Sequence, residues 1–368
     1  MKTLWKRMAK RAEALPEVPP AGSAVNLEPI ERFVRDVIPA VPGGRQLCTD
    51  TTGHIDLINH AATDRGLSIK KVGGTTYFFD GQFPVGGMTK WIPTLVGREA
   101  LAISKSKDLS KQMFEAAGLP TPAGIVVGSD QFDDALAYLR TAGKPHVLKP
   151  STGQAGRGIT TGITSEEDLR TAWTTAEDAA GRVPWLVLEE QVEGVDIRAF
   201  VVGRRVVAAA TRIHAHVVGD GKQTIAELIA EKQVWREQHV HVWKKPIVVT
   251  PAVLARSGRT VDDVPAAGEV VVVNGAANLH VGGESVDVTE LAHPDLLAMA
   301  VDAVRAVPGL GVAGVDLLTP DIGSADGAVV LELNVAANGR VHHIPIYGRP
   351  RDVAGAIIDE MIATARHP

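Results

Sequence analysis

The stretch Leu148–Ile159, LKPSTGQAGRGI, combines a lysine, two hydroxyl side chains and three glycines within six residues. This composition is typical of loops that grip phosphate groups. A Walker loop, G-x-x-x-x-G-K-[ST], places its lysine after the glycines at the start of a helix, and the chain contains no such segment. Here Lys149 precedes the glycines, and it ends a predicted strand, HVLK. The stretch therefore predicts a flexible hairpin that can fold over a nucleotide lying on a sheet, with an ordinary structural hairpin as the alternative.

Length and composition indicate a soluble globular protein of several subdomains. The chain has 368 residues, more than one core usually supports, with 45% hydrophobic and 22% charged residues. A net charge of -5 argues against a nucleic-acid partner. The single cysteine, Cys48, excludes a disulfide framework and a cysteine-based zinc cluster. Because the sequence shows neither a signal-peptide pattern nor a run of about 18 apolar residues, we expect a cytoplasmic protein without membrane association.

The pattern of helices and strands predicts an α/β (α+β) fold. A helix is expected from Ser129 to about Thr141, another after the capping box at Ser165, and a β-hairpin around Gly203-Arg204. The predicted parts of the chain are a leader helix and linker (1–26), a small N-terminal α/β domain (27–104), a subdomain with the glycine-rich hairpin (105–190) and a C-terminal subdomain (191–368).

Two apolar strands near the C-terminus carry oxygen-bearing side chains. Strand alternation places Glu332 and Asn334 on one face, and Asp316 of the preceding strand can add a third oxygen. Such oxygens suit Mg²⁺ (or Mn²⁺), which proteins commonly share with substrate phosphates. Solvent-facing polar residues at strand ends are the alternative, but the apolar surroundings favour a cleft.

The segment WLVLEEQVEGVDIR has the features of a connecting strand whose backbone reads adenine. Glu189, the backbone of Gln191 and Val192, and the carboxylate of Asp196 are candidates for contacts with adenine and ribose. Taken alone, this pattern is nonspecific.

The order of these features resembles that of an ATP-grasp carboxylate–amine ligase. The chain is most similar to the ATP-grasp part of cyanophycin synthetase and of bifunctional glutathione synthetases. The matching stretches lie within residues 105–345 and include SKSKDLSK, VLKPSTGQAGRGI, LEEQVEGVDIRAFVV, RIHAHVVGDGKQTIAELI, NLHVGGESVDVTE, GVAGVDLL and LELNVAANGRVHH. The resemblance implies an ATP-grasp fold, in which a small N-terminal α/β domain precedes two α+β subdomains that clamp ATP.

Roles for individual residues are carried over from this resemblance. It implies that Lys107 and Lys149 contact the ATP phosphates from two sides. The implied lid over the phosphates runs from Ser151 to Gly158 and includes Gly153 and Gly156. The implied adenine and ribose contacts are Glu189, Gln191, Val192 and Asp196, and the implied magnesium ligands are Asp316, Glu332 and Asn334.

The resemblance also implies a catalytic and a substrate side. Arg212 and Asn278 would stabilise the γ-phosphate and the acyl-phosphate formed from it. Arg340, with Arg198 and His342, would face an amino-acid or peptide substrate. The chain departs from the family pattern at Ala337 and Asn338, where the family usually has proline and glycine. This departure alters the substrate turn and leaves the substrate open.

The expected reaction is amide-bond formation driven by ATP. A carboxylate attacks the γ-phosphorus, and an amine then displaces phosphate from the acyl-phosphate, so catalysis rests on positioning and charge neutralisation. With no Walker loop or Mur-ligase-like domain in the sequence, one condensation per chain is expected. Because ligases of this kind are often dimers or tetramers, we expect a homo-oligomer. A phosphotransferase that stops at the phosphorylated product and a non-catalytic nucleotide-binding module remain alternatives.

Overall fold

The computed structural model describes residues 27–153, 156–181 and 185–365. The predicted leader helix and linker, residues 1–26, lie outside these residues. Helices pack against antiparallel sheets, so the predicted α/β fold class is confirmed. Of the helices in the described part of the chain, none combines the length and apolarity needed to cross a lipid bilayer.

The N-terminal part contains an antiparallel sheet with the strand order β1-β2-β3-β4. The turn between its first two strands has Gly73 at φ +58°, a left-handed conformation that favours glycine. The first helix, α1, continues through a π-helical turn and a 3₁₀ turn, Phe33–Val37 and Ile38–Ala40. The elements are α1 (Glu28–Arg32), α2 (His54–Asp64), β1 (Ser68–Val72), β2 (Thr75–Asp80), β3 (Phe83–Thr89), β4 (Ile92–Pro93) and α3 (Arg98–Ser104).

The next part carries the glycine-rich hairpin on a second antiparallel sheet, in the order β5-β8-β6-β7. Its elements are α4 (Lys107–Ala116), β5 (Gly124–Gly128), α5 (Phe132–Thr141), β6 (His146–Pro150), β7 (Thr160–Ile163), α6 (Glu166–Ala180) and β8 (Trp185–Glu190). The predicted capping box forms at Ser165, whose hydroxyl accepts from the Asp168 amide. Helix α5 begins three residues later than predicted, because a turn bonds the Gln131 amide to the Gly128 carbonyl at 2.9 Å.

The C-terminal part is built on a five-stranded antiparallel sheet in the order β13-β10-β9-β14-β15. The predicted hairpin at Gly203-Arg204 joins its strands β9 and β10. The elements are β9 (Val195–Val202), β10 (Arg205–Ile213), β13 (Glu284–Asp287), α9 (Pro294–Arg305), β14 (Val312–Thr319), β15 (Val329–Asn334), α10 (Arg340–His343) and α11 (Val353–Thr364).

A smaller unit is inserted between β10 and β13. Its two strands, β11 (His216–Val218) and β12 (Val270–Val272), pair antiparallel, and helices α7 (Ile225–Arg236) and α8 (Pro251–Arg256) lie between them in the chain. Helix α7 starts with a capping box, in which the Thr224 amide donates to the Glu227 carboxylate at 2.9 Å. The insertion therefore folds around its own apolar cluster rather than as an extended loop.

The two faces of the five-stranded sheet are covered by elements from opposite ends of the chain. Helices α1 and α9 pack on one face, where Ile30 and Ala300 contact the same buried cluster as Ile197. Helices α2 and α11 cover the other face around Phe200. The cores on both sides thus combine segments from either side of the predicted boundary at residue 104. The boundaries at 104 and 190 stay predictions.

Helix α11 offers a matched pair of isoleucines that tests this packing. Ile358 is fully buried between the sheet and α2, whereas Ile362, one turn later, is 40% exposed. We expect Ile358→Ala to lower the free energy of unfolding by about 2–5 kcal/mol, because it opens a cavity in a close-packed core. Ile362→Ala should change it by less than about 0.5 kcal/mol. Denaturant titration measures both, and equal losses would contradict the described packing.

Candidate active site

The glycine-rich hairpin joins β6 to β7 and lies above a small cleft. A cavity of about 60 Å³ beneath it is lined by Lys107, Gly153, Arg157 and Glu332, among others. Gly156 and Gly158 both have φ +74°, where a β-carbon is unfavourable. A β-carbon at Gly158 would also overlap the side chain of Ala179 on α6. The hairpin is therefore anchored at its C-terminal end, which requires glycine there.

The first residues of the hairpin are tied to the start of α4. The Lys107 amide donates to the Ser151 carbonyl at 2.8 Å, and the Lys107 ammonium donates to the Gly153 carbonyl at 3.1 Å. The hydroxyls of Ser106 and Ser151 both donate to one carboxylate oxygen of Asp108. Burial alone would raise the pKa of Asp108, but the hydrogen bonds outweigh this effect and lower it. The first residues of the hairpin are thus joined to the start of helix α4, where Lys107 lies, and Lys149 lies two residues before Ser151.

Three charged side chains form a compact cluster below the hairpin. The Lys149 ammonium, at the end of β6, donates to Oε1 of Glu189 on the neighbouring strand β8. Oε2 of Glu189 lies 3.9 Å from the ammonium of Lys111 on α4. All three side chains are buried. Glu189, predicted to help hold adenine, is therefore also the counter-ion of two lysines.

The predicted metal ligands meet on strands β14 and β15. Asp316 and Glu332 are directly opposite each other in the strand register, and Asn334 lies opposite Gly314. The Asn334 amide donates to Oε1 of Glu332 at 3.3 Å. Burial and the neighbouring Asp316 raise the pKa of Glu332. The strand alternation thus brings the three side chains together as predicted.

Two arginines neutralise the carboxylates on this face of the sheet. Arg198, opposite Asp316 on β9, donates to both of its oxygens at 2.6 and 2.5 Å. Against the opposing effect of burial, Arg198 lowers the pKa of Asp316. Arg212 on β10 donates to Asp196 at 2.7 Å and lies 3.8 Å from Asp316. Burial, despite Arg212, raises the pKa of Asp196.

The donor set fits a hard divalent cation. The buried Asp316 and the half-buried Glu332 are adjacent carboxylates, and the pKa of Glu332 is raised by partial burial and by the negative charge of Asp316, which a cation would relieve. Within the described residues, no group of three or more histidine, cysteine or carboxylate side chains is arranged to hold a metal ion. A cation here therefore depends on the amide oxygen of Asn334 as a third protein ligand, with the remaining positions left to substrate oxygens.

The link between the two sheets carries the predicted adenine contacts. The Gln191 side-chain oxygen accepts from the Gly162 amide at 2.7 Å, and the Gln191 amide donates to the Pro145 carbonyl. Val192 follows, half-buried, just before β9. Asp196 lies on the same strand as Arg198 but is held by Arg212. The link is therefore bonded to the four-stranded sheet β5-β8-β6-β7 on one side and enters the five-stranded sheet on the other.

Sequence comparisons with curated proteins find relatives of this chain. The chain is 37% identical over 263 residues to cyanophycin synthetase of Trichormus variabilis, which covers 69% of this chain and 28% of that protein. It is 30% identical over 278 residues to the glutathione biosynthesis bifunctional protein GshAB of Mannheimia succiniciproducens, covering 71% of this chain and 36% of that protein. The chain thus spans about a third of the length of these curated relatives. No family model matches the chain.

A solved structure matches the fold over most of the chain. The bifunctional glutathione synthetase from Pasteurella multocida superposes with a TM-score of 0.63 at 22% sequence identity, covering 85% of this chain and 44% of that one. The chain has the ATP-grasp fold. The resemblance predicted from the sequence motifs is therefore confirmed.

The turn that follows β15 meets two distant segments. Arg340 donates to the Asp50 carbonyl at 2.8 Å, and its buried Nε atom lacks a hydrogen-bond partner among the described residues. The pKa of Lys245, from the inserted unit, is lowered by burial and by the positive charges of Arg236 and Arg340. His342 is buried against Phe200, and burial with the nearby Arg198 lowers its pKa to about 3. In the part of the chain that the structure describes, Arg340 forms no ion pair with a carboxylate, so its positive charge at the turn is not neutralised, and the buried His342 beneath it is held neutral.

Asn278 is the predicted site residue whose contacts are purely local. Its side-chain oxygen accepts from the His280 amide at 2.9 Å and caps a short 3₁₀ turn, Leu279–Val281. The side chain is exposed and belongs to the inserted unit rather than to the carboxylate face. Its predicted role at the γ-phosphate stays a prediction.

The sequence reasoning missed three polar residues that the structure places in or beside the site. Lys111 pairs with Glu189, Asp108 joins the lid to α4, and Lys245 lies near Arg340. A signal existed for Lys111, which precedes the buried Phe114 by three residues and so shares its helix face. A lysine on an inward face indicates a buried counter-ion. For Lys245, no local pattern distinguishes it from the exposed Lys244.

Two lid glycines provide a test of the hairpin anchor. Gly156 and Gly158 share the same left-handed conformation, but a β-carbon meets nothing within 4 Å at Gly156 and overlaps Ala179 at Gly158. Both alanine variants should lose about 1–2 kcal/mol of unfolding free energy for the conformation itself. Gly158→Ala should lose about 1–3 kcal/mol more from overpacking. If denaturant titration shows the two variants to be equally stable, the hairpin is not anchored on α6.

Proposed function

We propose that the chain is an ATP- and Mg²⁺-dependent ligase that joins an amino-acid or peptide carboxylate to an amine, releasing ADP and phosphate. One observation carries the proposal. The lid-bearing subdomain presents lysines to the oxygen ligands of the other subdomain across a cleft, with Lys107 3.8 Å from Glu332. A metal–polyphosphate needs this pairing of cations on one side and carboxylates on the other.

The nucleotide would lie between the two sheets. Lys107 and Lys149 would contact its phosphates beneath the lid Ser151–Gly158. Glu189 with the backbone of Gln191 and Val192 would hold adenine, and Asp196 the ribose. The link Gln191–Val192 joins the two sheets, which supports this orientation.

Asp316, Glu332 and Asn334 would hold Mg²⁺ (or Mn²⁺). When bound, the ion neutralises phosphate charge as the γ-phosphoryl group is transferred. Arg198 orients Asp316 through both of its oxygens. Arg212 lies between Asp196 and Asp316, where it can add positive charge next to the transferred phosphoryl group.

Transfer of the γ-phosphoryl group to the substrate carboxylate activates it, because phosphate is a better leaving group than the oxygen of a free carboxylate. The substrate carboxylate attacks the γ-phosphorus, ADP leaves, and the amine then displaces phosphate from the acyl-phosphate. Arg340 and Lys245 supply positive charge near the turn that follows the metal ligands, which favours an acidic substrate group there. A closed lid excludes water that would hydrolyse the acyl-phosphate.

The lid must lift to admit ATP. The cavity under it measures about 60 Å³, whereas small-molecule pockets usually measure roughly 300–1,000 Å³. The left-handed glycines Gly153, Gly156 and Gly158 allow backbone movement at this point. Product release therefore also depends on lid opening.

The setting of the reaction belongs to the same proposal. A single cysteine, which leaves no disulfide framework, supports a cytoplasmic enzyme. Small-molecule amino acids or short peptides are its proposed substrates, and a homo-oligomer is its proposed state.

Turnover assays test the proposed ligase. The pure protein is incubated with ATP, Mg²⁺ and pools of amino acids and short peptides, while ADP, phosphate and product mass are followed. We expect ADP release only when an acid and an amine are both present, and chelation of the metal should abolish it. A stable phosphorylated product formed without an amine would indicate a phosphotransferase instead. ATP binding without any turnover would indicate a nucleotide-binding module.

A variant that removes one carboxylate charge tests the proposed metal ligands. Glu332→Gln keeps the shape of the side chain but removes one ligand charge, so we expect ADP release to fall by roughly a hundredfold or more. Asp326→Asn, in the exposed loop between β14 and β15, removes a carboxylate away from the site and should retain full activity. If Glu332→Gln also retains full activity, the metal ligands have been assigned incorrectly.

A further inference from the structure

Among the described residues, Glu189 is the only carboxylate that forms an ion pair with Lys149. The same carboxylate is also in ion-pair contact with a second lysine, Lys111. Lys149 reaches Oε1, and Lys111 lies 3.9 Å from Oε2. The exposed fraction of the Lys111, Lys149 and Glu189 side chains is 10%, 10% and 7%. Two ammonium groups therefore share one buried carboxylate, although one would neutralise it.

The two lysines are held very differently. The Lys111 ammonium donates to the Pro122 carbonyl and to the Thr121 hydroxyl, the latter at 3.2 Å, and lies 3.7 Å from Glu115. The Lys111 ammonium thus has three polar partners besides Glu189. Within the described residues, Lys149 has Glu189 as its single hydrogen-bond partner. Lys149 is therefore free to turn toward another anion, whereas Lys111 is not.

Removal of Lys149 from Glu189 would normally be unfavourable. A buried carboxylate that loses its counter-ion also loses the attraction that offset its removal from water. Lys111 prevents this loss, because it already lies beside the second oxygen. We propose that Lys111 is the permanent counter-ion of Glu189, which lets Lys149 leave that carboxylate and bind the phosphates of the nucleotide. This inference rests on the proposed ATP site and assigns Lys111 as a positioning residue.

Calorimetric titration of the full chain with Mg·ATP and with adenosine separates this role from a general structural one. Lys111→Met should weaken Mg·ATP binding by at least about tenfold, since Lys149 then stays on Glu189. Adenosine has no phosphates, so its affinity should change less than about twofold. Lys105→Met, at an exposed lysine two residues before α4, is the matched control and should leave both affinities unchanged.

A second variant covers the case in which Lys111→Met does not fold. Lys111→Met/Glu189→Gln removes one charge of each sign, so no buried carboxylate is left without a counter-ion. Compared with Glu189→Gln alone, it should bind Mg·ATP within about threefold, because Lys149 is free in both proteins. A further loss of tenfold or more would overturn the proposal, since Lys111 would then act on the nucleotide directly.

The outcomes also separate this inference from the proposed function. If the unmodified chain does not bind Mg·ATP, the proposed function is wrong. If it binds Mg·ATP and Lys111→Met binds it equally well, the ligase proposal stands and only the role of Lys111 is wrong. Equal losses of Mg·ATP and adenosine affinity in Lys111→Met would show a structural role and would likewise overturn the inference.

Discussion

Two carboxylates on adjacent strands, the buried Asp316 and the half-buried Glu332, lie side by side, and this constraint organises the site. Burial makes each charge costly, and their proximity adds repulsion. Three cationic side chains offset this negative charge. Arg198 lies on β9, Arg212 on β10 and Lys107 on helix α4. The site can exist only where these three elements meet, which is one end of the five-stranded sheet.

The same sheet explains how the charges lie so close to a hydrophobic core. Arg198 and Phe200 share one face of β9, so a single strand passes from the charged site into the core covered by α2 and α11. Gly314 lies between these regions on β14. A β-carbon there would be 2.9 Å from Ala337 and 3.4 Å from the stem of Arg198. Glycine therefore allows the substrate turn and the arginine to lie close to the sheet.

Local patterns in the sequence predicted the elements well, because hairpins and capped helices depend on near neighbours. The alternation in β15 placed Glu332 and Asn334 on one face, and the register with β14 then brought Asp316 opposite. Pairings between distant segments had no such signal. The bond between Arg198 and Asp316 joins residues 118 positions apart, and only the order of strands in the sheet brings them together.

The other misses share this physical origin. Helix α11 packs on α2 from the opposite end of the chain, which composition and periodicity cannot show. Lys111 shares the buried face of its helix with Phe114, and this spacing shows that the lysine is turned inward but does not identify Glu189 as its partner. Asn278 was assigned a role by resemblance alone, and its described contact is a local cap. A sequence pattern indicates on which face of a helix or strand a residue lies. Tertiary packing determines which residues from other elements contact it.

The distribution of charge across the cleft has one further consequence. The lid side carries Lys107, Lys111 and Lys149 with Glu189, whereas the sheet side carries three carboxylates with Arg198 and Arg212. The two sides therefore attract each other before any ligand binds, and Lys107 lies 3.8 Å from Glu332. A metal–polyphosphate complex has matching charges, since its phosphates suit the lysines and its cation suits the carboxylates. In the proposed function, nucleotide binding would replace a direct attraction between the two sides of the cleft with a bridged one, and the metal complex would fit this charge pattern better than free ATP.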